Sequence, residues 1–148
     1  MPRMYKLVGT NDDQDSCCCC GRSGLKRVMW LVPLDEDGNP AGEPEHYGTS
    51  CAAKMLGWAN HTSMKEVNQK AHEATELTIR QAVHKILAAH CVVFNGMFFV
   101  LKTDVEALNS GVITPSQAVT RLRKAHPITS YYDGMMNRNK ALSLALRG

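Results

Sequence analysis

The 148-residue sequence predicts an α+β fold: a treble-clef-like zinc knuckle with a β-hairpin and helix, followed by a mainly helical region with a second β-hairpin. Three observations carry that expectation. The run "CCCCG" at residues 17–21 contains a C-x-x-C-G turn, and a further cysteine, Cys51, opens a helical segment. Two pairs of apolar runs are joined by turn-forming dipeptides, Asp37-Gly38 and Asn95-Gly96. Capping signatures then punctuate residues 63–127, dividing them into helices.

The elements follow in order. Asp12, Asp13 and Asp15 precede the knuckle and read as an acidic, solvated tail; residues 1–15 lack the apolar core and small-residue cleavage site of a secretory signal. Leu25–Leu34 is rich in apolar and β-favouring residues and reads as a strand. "DEDGNPAGEP" turns the chain, and "EHYGTS" returns as the second strand of a hairpin. Thr49 or Ser50 is placed to cap a helix over "CAAKMLGWA". Ser63 and Glu66 form a capping box that opens a long helix running toward His90. Met64, Val67, Ala71 and Ala74 recur at helical spacing, and the stripe resumes at Ile79, Val83 and Ile86. The slip between these two sets predicts a bend or break near "TELTIR". Residues 91–102 form the second hairpin, its phenylalanines turned to the core, and Cys91 is expected as a small buried residue. Thr103 and Glu106 make another capping box, closed by Gly111. Thr114, Pro115 and Gln117 start the next helix, with Ala118, Val119 and Leu122 turned inward and Pro127 at its end. A last helix closes the chain. The expected organisation is a knuckle, hairpin and helix module over residues 1–60 and a helical region over 61–148, packed as one unit.

No run of about 18 apolar residues occurs, so no membrane span is expected. The expected compartment is a reducing cytoplasm, where clustered cysteines bind metal more often than they pair as disulfides. A thiolate pair two residues apart can hold one ion from a tight turn, and a helix N-terminus favours the anionic form of Cys51. Cys17, Cys20 and Cys51 are therefore the expected ligands of a structural Zn2+. A treble-clef finger would offer a second helical ligand three residues after Cys51, but Lys54 stands there. His46 is the candidate for the fourth position, competing with Cys18, Cys19, His61 and His72. A redox C-x-x-C is disfavoured because no thioredoxin-like βαβ context surrounds it.

"CCCCGRSGLKRVMWL" together with "HYGTSCAAKMLGW" resembles the N-terminal segment of a group of small bacteriophage and prophage proteins without assigned activity. Their pattern is C-x-x-C-G, a Leu-Lys strand, then aromatic-Gly-x-x-Cys-Ala, and the likeness covers residues 17–58. The resemblance implies that Cys17, Cys20 and Cys51 are shared ligands and that the chain comes from a mobile element. By analogy it suggests an inhibitor of a host protein or nucleoprotein complex, in the manner of an anti-CRISPR.

Charge is distributed unevenly. Residues 1–60 carry six Lys/Arg against eight Asp/Glu, whereas residues 61–148 carry eleven against six. Within 118–148, six basic residues face only Asp133. Arg121, Arg123, Lys124, Arg138 and Lys140 could contact phosphates, and Tyr131 and Tyr132 could stack on bases. Met135 and Met136, next to Gly134, form an adaptable apolar contact. No G-x-S-x-G, H-E-x-x-H, P-loop or nucleic-acid deaminase signature occurs, so no catalytic role is expected. The expected function is that of a non-catalytic, zinc-stabilised protein-interaction module. Nucleic-acid binding through the basic C-terminal third is the alternative, and a homodimer would suit the methionine-rich surface.

Overall fold

The computed structural model describes residues 4–58 and 63–147. The chain divides into two compact units. The first comprises Met1–Thr78 together with Arg138–Gly148, and the second Ile79–Asn137. The first unit thus holds the residues of the expected N-terminal module, the start of the long helix and the C-terminal helix. Among the described residues no helix is long and apolar enough to cross a membrane.

The first unit is built on an antiparallel sheet of β1 (Met4–Asn11), β2 (Val28–Leu34) and β3 (Glu45–Tyr47), in that order. The hairpin of β2 and β3 matches expectation; β1 is an addition to it, since no element is expected before Leu25. Its alternation is short: Tyr5 and Leu7 point toward the core, and then an extra residue, Val8, bulges between Leu7, paired with Leu31, and Gly9, paired with Trp30. The bulge breaks the period-two pattern by which a strand is recognised. Gly9 is required by close approach, because a Cβ there would lie 2.6 Å from a Leu142 methyl and 3.0 Å from the Thr75 hydroxyl. Met29, Leu31, Tyr47, Ala52, Ala53, Val67 and Ala71 form the buried core, together with Cys17.

Helix α1 (Thr49–Met55) starts one residue earlier than a Thr49 cap would place it and two earlier than a Ser50 cap would. Gly48 is the N-cap, in extended conformation and without a side-chain cap bond, and its carbonyl accepts from the Ala52 amide at 2.9 Å. Helix α2 (Met64–His90) is one continuous helix of 27 residues, so no break occurs at "TELTIR". Its buried row is Val67, Ala71, Thr75, Ile79 and Val83, spaced every four residues. Thr75 fills the apparent gap in the apolar stripe. Its hydroxyl donates to the Ala71 carbonyl (2.7 Å) and accepts from the Thr10 amide (2.9 Å), which satisfies a polar group at full burial. Ser63 accepts from the Glu66 amide at 3.3 Å, as its capping position requires. Met64, expected on the inward stripe, is 48% exposed.

Helix α5 (Arg138–Arg147) closes the chain against β1. Asn11 pins this contact from zero exposure. Its amide donates to the Asn139 carbonyl and the Ser143 hydroxyl, while its oxygen accepts from the Trp30 indole at 2.7 Å.

In the second unit, β4 (Cys91–Phe94) and β5 (Phe98–Leu101) pair antiparallel. Asn95 and Gly96 both take positive φ (54° and 66°), as the tight turn demands, and the Met97 amide donates to the Phe94 carbonyl. Phe98 faces the core, whereas Phe99 is 43% exposed, contrary to expectation, because alternation sends the two to opposite faces. Cys91 is buried as expected. The Thr103 capping box does not form: Lys102–Asp104 is a 3-10 turn, and the Asp104 carboxylate engages Arg121 instead. Helix α3 (Val105–Asn109) ends at Gly111, with the Val112 amide on the Ala107 carbonyl and the Gly111 amide on Leu108. Helix α4 (Pro115–Ala125) has the complete Thr114–Gln117 capping box and Pro115 in its first turn. Ala118 and Leu122 are buried and Val119 half-buried, as expected of packing helices.

Candidate metal centre

The site grows from residues 16–25. The Gly21 amide closes a turn onto the Cys17 carbonyl (2.9 Å), and Gly21 takes a left-handed φ of 73° that a side chain would disfavour. The Cys17 amide in turn bonds to the Arg22 carbonyl, and the Leu25 amide to that of Asp15. The Cys18 amide donates to the His46 carbonyl at 2.9 Å, which docks the turn on β3. Those bonds explain why the strand expected from Leu25 begins only at Val28: the first residues close the knuckle.

The ligand atoms of Cys17, Cys20 and Cys51 all lie within 4.8 Å of one another. An ion bonded tetrahedrally to sulfur at about 2.3 Å would set the sulfurs about 3.8 Å apart, so small adjustments close the three around one ion. Cys17 is buried, Cys51 half-buried and Cys20 exposed. A cavity of about 200 Å³ opens over the cluster, bounded also by Arg22, Leu25, Gly48, Thr49 and Ser50.

The electrostatics suit a cation. Burial opposes ionisation of Cys17, but the backbone amides of Cys20, Gly48 and Cys19 and the Cys20 thiol outweigh it, holding its pKa at about 7. Cys51 is pushed up to about 12, first by burial and then by the neighbouring thiols of Cys17, Cys20 and Cys19. Three thiolates so close repel one another when no cation lies between them. A bound divalent ion reverses that preference and deprotonates its thiols.

The other candidate ligands lie elsewhere. His46 is outside the cluster: its Nδ1 lies 2.6 Å from the Ser16 carbonyl, and its ring packs edge-on against Trp30 at 5.3 Å. His72 sits on α2 with its Nδ1 3.3 Å from an Arg138 nitrogen. His61 lies outside the described residues. Lys54 is exposed, as are Asp12, Asp13 and Asp15. Sequence spacing did not single out Cys19, whose thiol meets Cys51; only the folded turn brings the two together.

The residues proposed for partner contact are distributed over both units. Arg121, Arg123, Lys124, Tyr131, Tyr132, Met135 and Met136 belong to the second, Arg138 and Lys140 to the first. Of the basic groups, Arg121 pairs with Asp104 (3.0 Å), Arg123 with Asp133 (2.7 Å) and Arg138 with Glu76 (2.8 Å). Tyr131 and Tyr132 stack edge-to-face at 5.0 Å, the first half-buried and the second exposed. Met135 is exposed and Met136 half-buried. The second unit also has a cavity of about 350 Å³ whose walls include Val83, Leu87, Phe98 and Phe99, with Tyr132 and the Arg123–Asp133 pair beside them. It went unnoticed in the sequence because its walls come from four separate segments.

No protein-family model, curated protein or solved structure matches this chain.

Proposed function

We propose that Cys17, Cys20 and Cys51 hold a structural zinc ion, and that the chain works as a non-catalytic interaction module for a protein partner. The convergence of three cysteine sulfurs within 4.8 Å carries this reading. Thiolate-only donors on a C-x-x-C-G turn and a helix start favour zinc over harder cations. The ion would tie the turn to α1 and so order the first unit.

A protein partner is favoured over nucleic acid by the state of the basic groups. Arg121, Arg123 and Arg138 each have a carboxylate partner that phosphate would have to displace. The hairpin of the second unit, by contrast, presents apolar groups to solvent: Met97 at 80%, Val93 at 53% and Phe99 at 43% exposure. Such groups are the usual anchors of a protein interface.

The test is affinity capture from lysate with the intact chain and with Met97→Asp/Phe99→Asp, each with and without nuclease and at two salt concentrations. The expected outcome is a defined protein that survives nuclease and salt and is lost with the double variant. Capture that disappears with nuclease and falls steeply with salt would instead establish nucleic-acid binding.

A further inference from the structure

A structural zinc site is almost always closed by four protein ligands, and three are assigned above. We infer that Cys19 supplies the fourth, making the centre a four-thiolate site of Cys17, Cys19, Cys20 and Cys51. This rests on the zinc reading and completes it.

Geometry narrows the choice. His46 contributes no ring nitrogen to the group of atoms within 4.8 Å of one another, and its ring is fixed by the Ser16 carbonyl at Nδ1 and by edge-on packing against Trp30, so it would have to leave that packing to bring Nε2 to the ion. His72 is beside Arg138, whose positive charge opposes a cation. Lys54 occupies the position where a treble-clef helix would offer a second ligand, and it points to solvent. Among the described residues the group within 4.8 Å is Cys17, Cys20 and Cys51 alone, so the fourth donor, Cys19 included, has to move in from beside it.

Cys19 has the opposite circumstances. It lies inside the turn that the Gly21 amide closes onto the Cys17 carbonyl, between Cys17 and Cys20, two members of the cluster. Its thiol lies near that of Cys51 and its amide near the Cys17 sulfur. It is exposed, so it can rotate toward an ion without leaving a core position. Cys18, the other unassigned cysteine of the run, has its backbone turned to β3 through the His46 carbonyl. A run of cysteines on one tight turn thereby acquires a reason: the turn contributes three ligands and α1 only one, which dispenses with the second helical ligand.

The experiment uses the full chain loaded with zinc. X-ray absorption counts the sulfur neighbours of the metal, and competition with a chelating dye measures affinity, for the intact chain and for Cys19→Ser, Cys18→Ser and His46→Ala. Expected are four sulfurs in the intact chain, unchanged in Cys18→Ser and His46→Ala. Cys19→Ser should show three sulfurs plus one lighter atom, with affinity lowered by more than about tenfold, the scale on which even a ligand's supporting partners act. A shell of three sulfurs and one nitrogen in the intact chain, losing its nitrogen in His46→Ala, would overturn the assignment. So would four sulfurs that become three in Cys18→Ser. If Cys19→Ser does not fold, the intact chain and the other two variants still decide between these cases. An intact chain that takes up no zinc at all would refute the zinc reading itself, a different failure from the wrong fourth ligand.

Discussion

The two units are held together by different means. In the first, the fastenings join residues far apart in sequence: Asn11 to Asn139 and Ser143, Thr10 to Thr75 and, through the proposed ion, Cys17 and Cys20 to Cys51. In the second, many are local: the Asn95-Gly96 turn, the Gly111 helix stop and the Thr114–Gln117 box each involve residues within six positions of one another. Its buried core of Val100, Leu108 and Ala118 lies between them. A unit built on long-range polar and sulfur contacts should be lost abruptly when one is removed, and a unit built on local devices should weaken by small steps.

Metal removal is the strongest way to test this contrast. Chelation of zinc, or Cys51→Ser, should destabilise the first unit by several kcal/mol, since the binding free energy of a structural metal is largely folding free energy. Hydrogen exchange should quicken in residues 4–58 while the amides of β4, β5 and α4 keep their protection. Uniform loss of protection, or none, would erase the distinction between the units.

Asn11→Leu should come next. The substitution strands the part-buried Trp30 indole without its acceptor and removes the amide's bonds to the Asn139 carbonyl, which keeps the Ser143 hydroxyl, and to Ser143, at a cost of about 1–3 kcal/mol, the loss for a buried group left unpaired. Chemical denaturation of the zinc-loaded protein measures it. A loss below about 0.5 kcal/mol, the size of an ordinary surface change, would show that Asn11 pins nothing.

Thr114→Ala should have the smallest effect, about 1 kcal/mol, the usual value of an N-cap side chain. Its influence should stay within α4 when followed by residue-resolved exchange. Spread of the change into the first unit would contradict the picture of local fastening.

How far each part was legible in the chain follows the same division. The Thr114 capping box, the Gly111 stop, the Asn-Gly hairpin and the C-x-x-C-G turn were all readable, because each is completed by residues close in sequence whose chemistry permits few alternatives. Strand β1 was hidden by its bulge at Val8, and the continuity of α2 was hidden by Thr75, a polar residue on a buried row. The pairing of Arg121 with Asp104 and the bond between His46 Nδ1 and the Ser16 carbonyl join residues 17 and 30 positions apart, which no local spacing announces.

What the sequence by itself determined, then, is the inventory of helices, hairpins and sulfur donors, because spacing along the chain governs local hydrogen bonding and the reach of a turn. What only the tertiary structure decided is which polar groups meet. Asn11 joins α5, Thr75 meets Thr10, and three arginines meet carboxylates, because distant segments must satisfy their buried and charged groups with whatever the packed fold brings within about 3 Å.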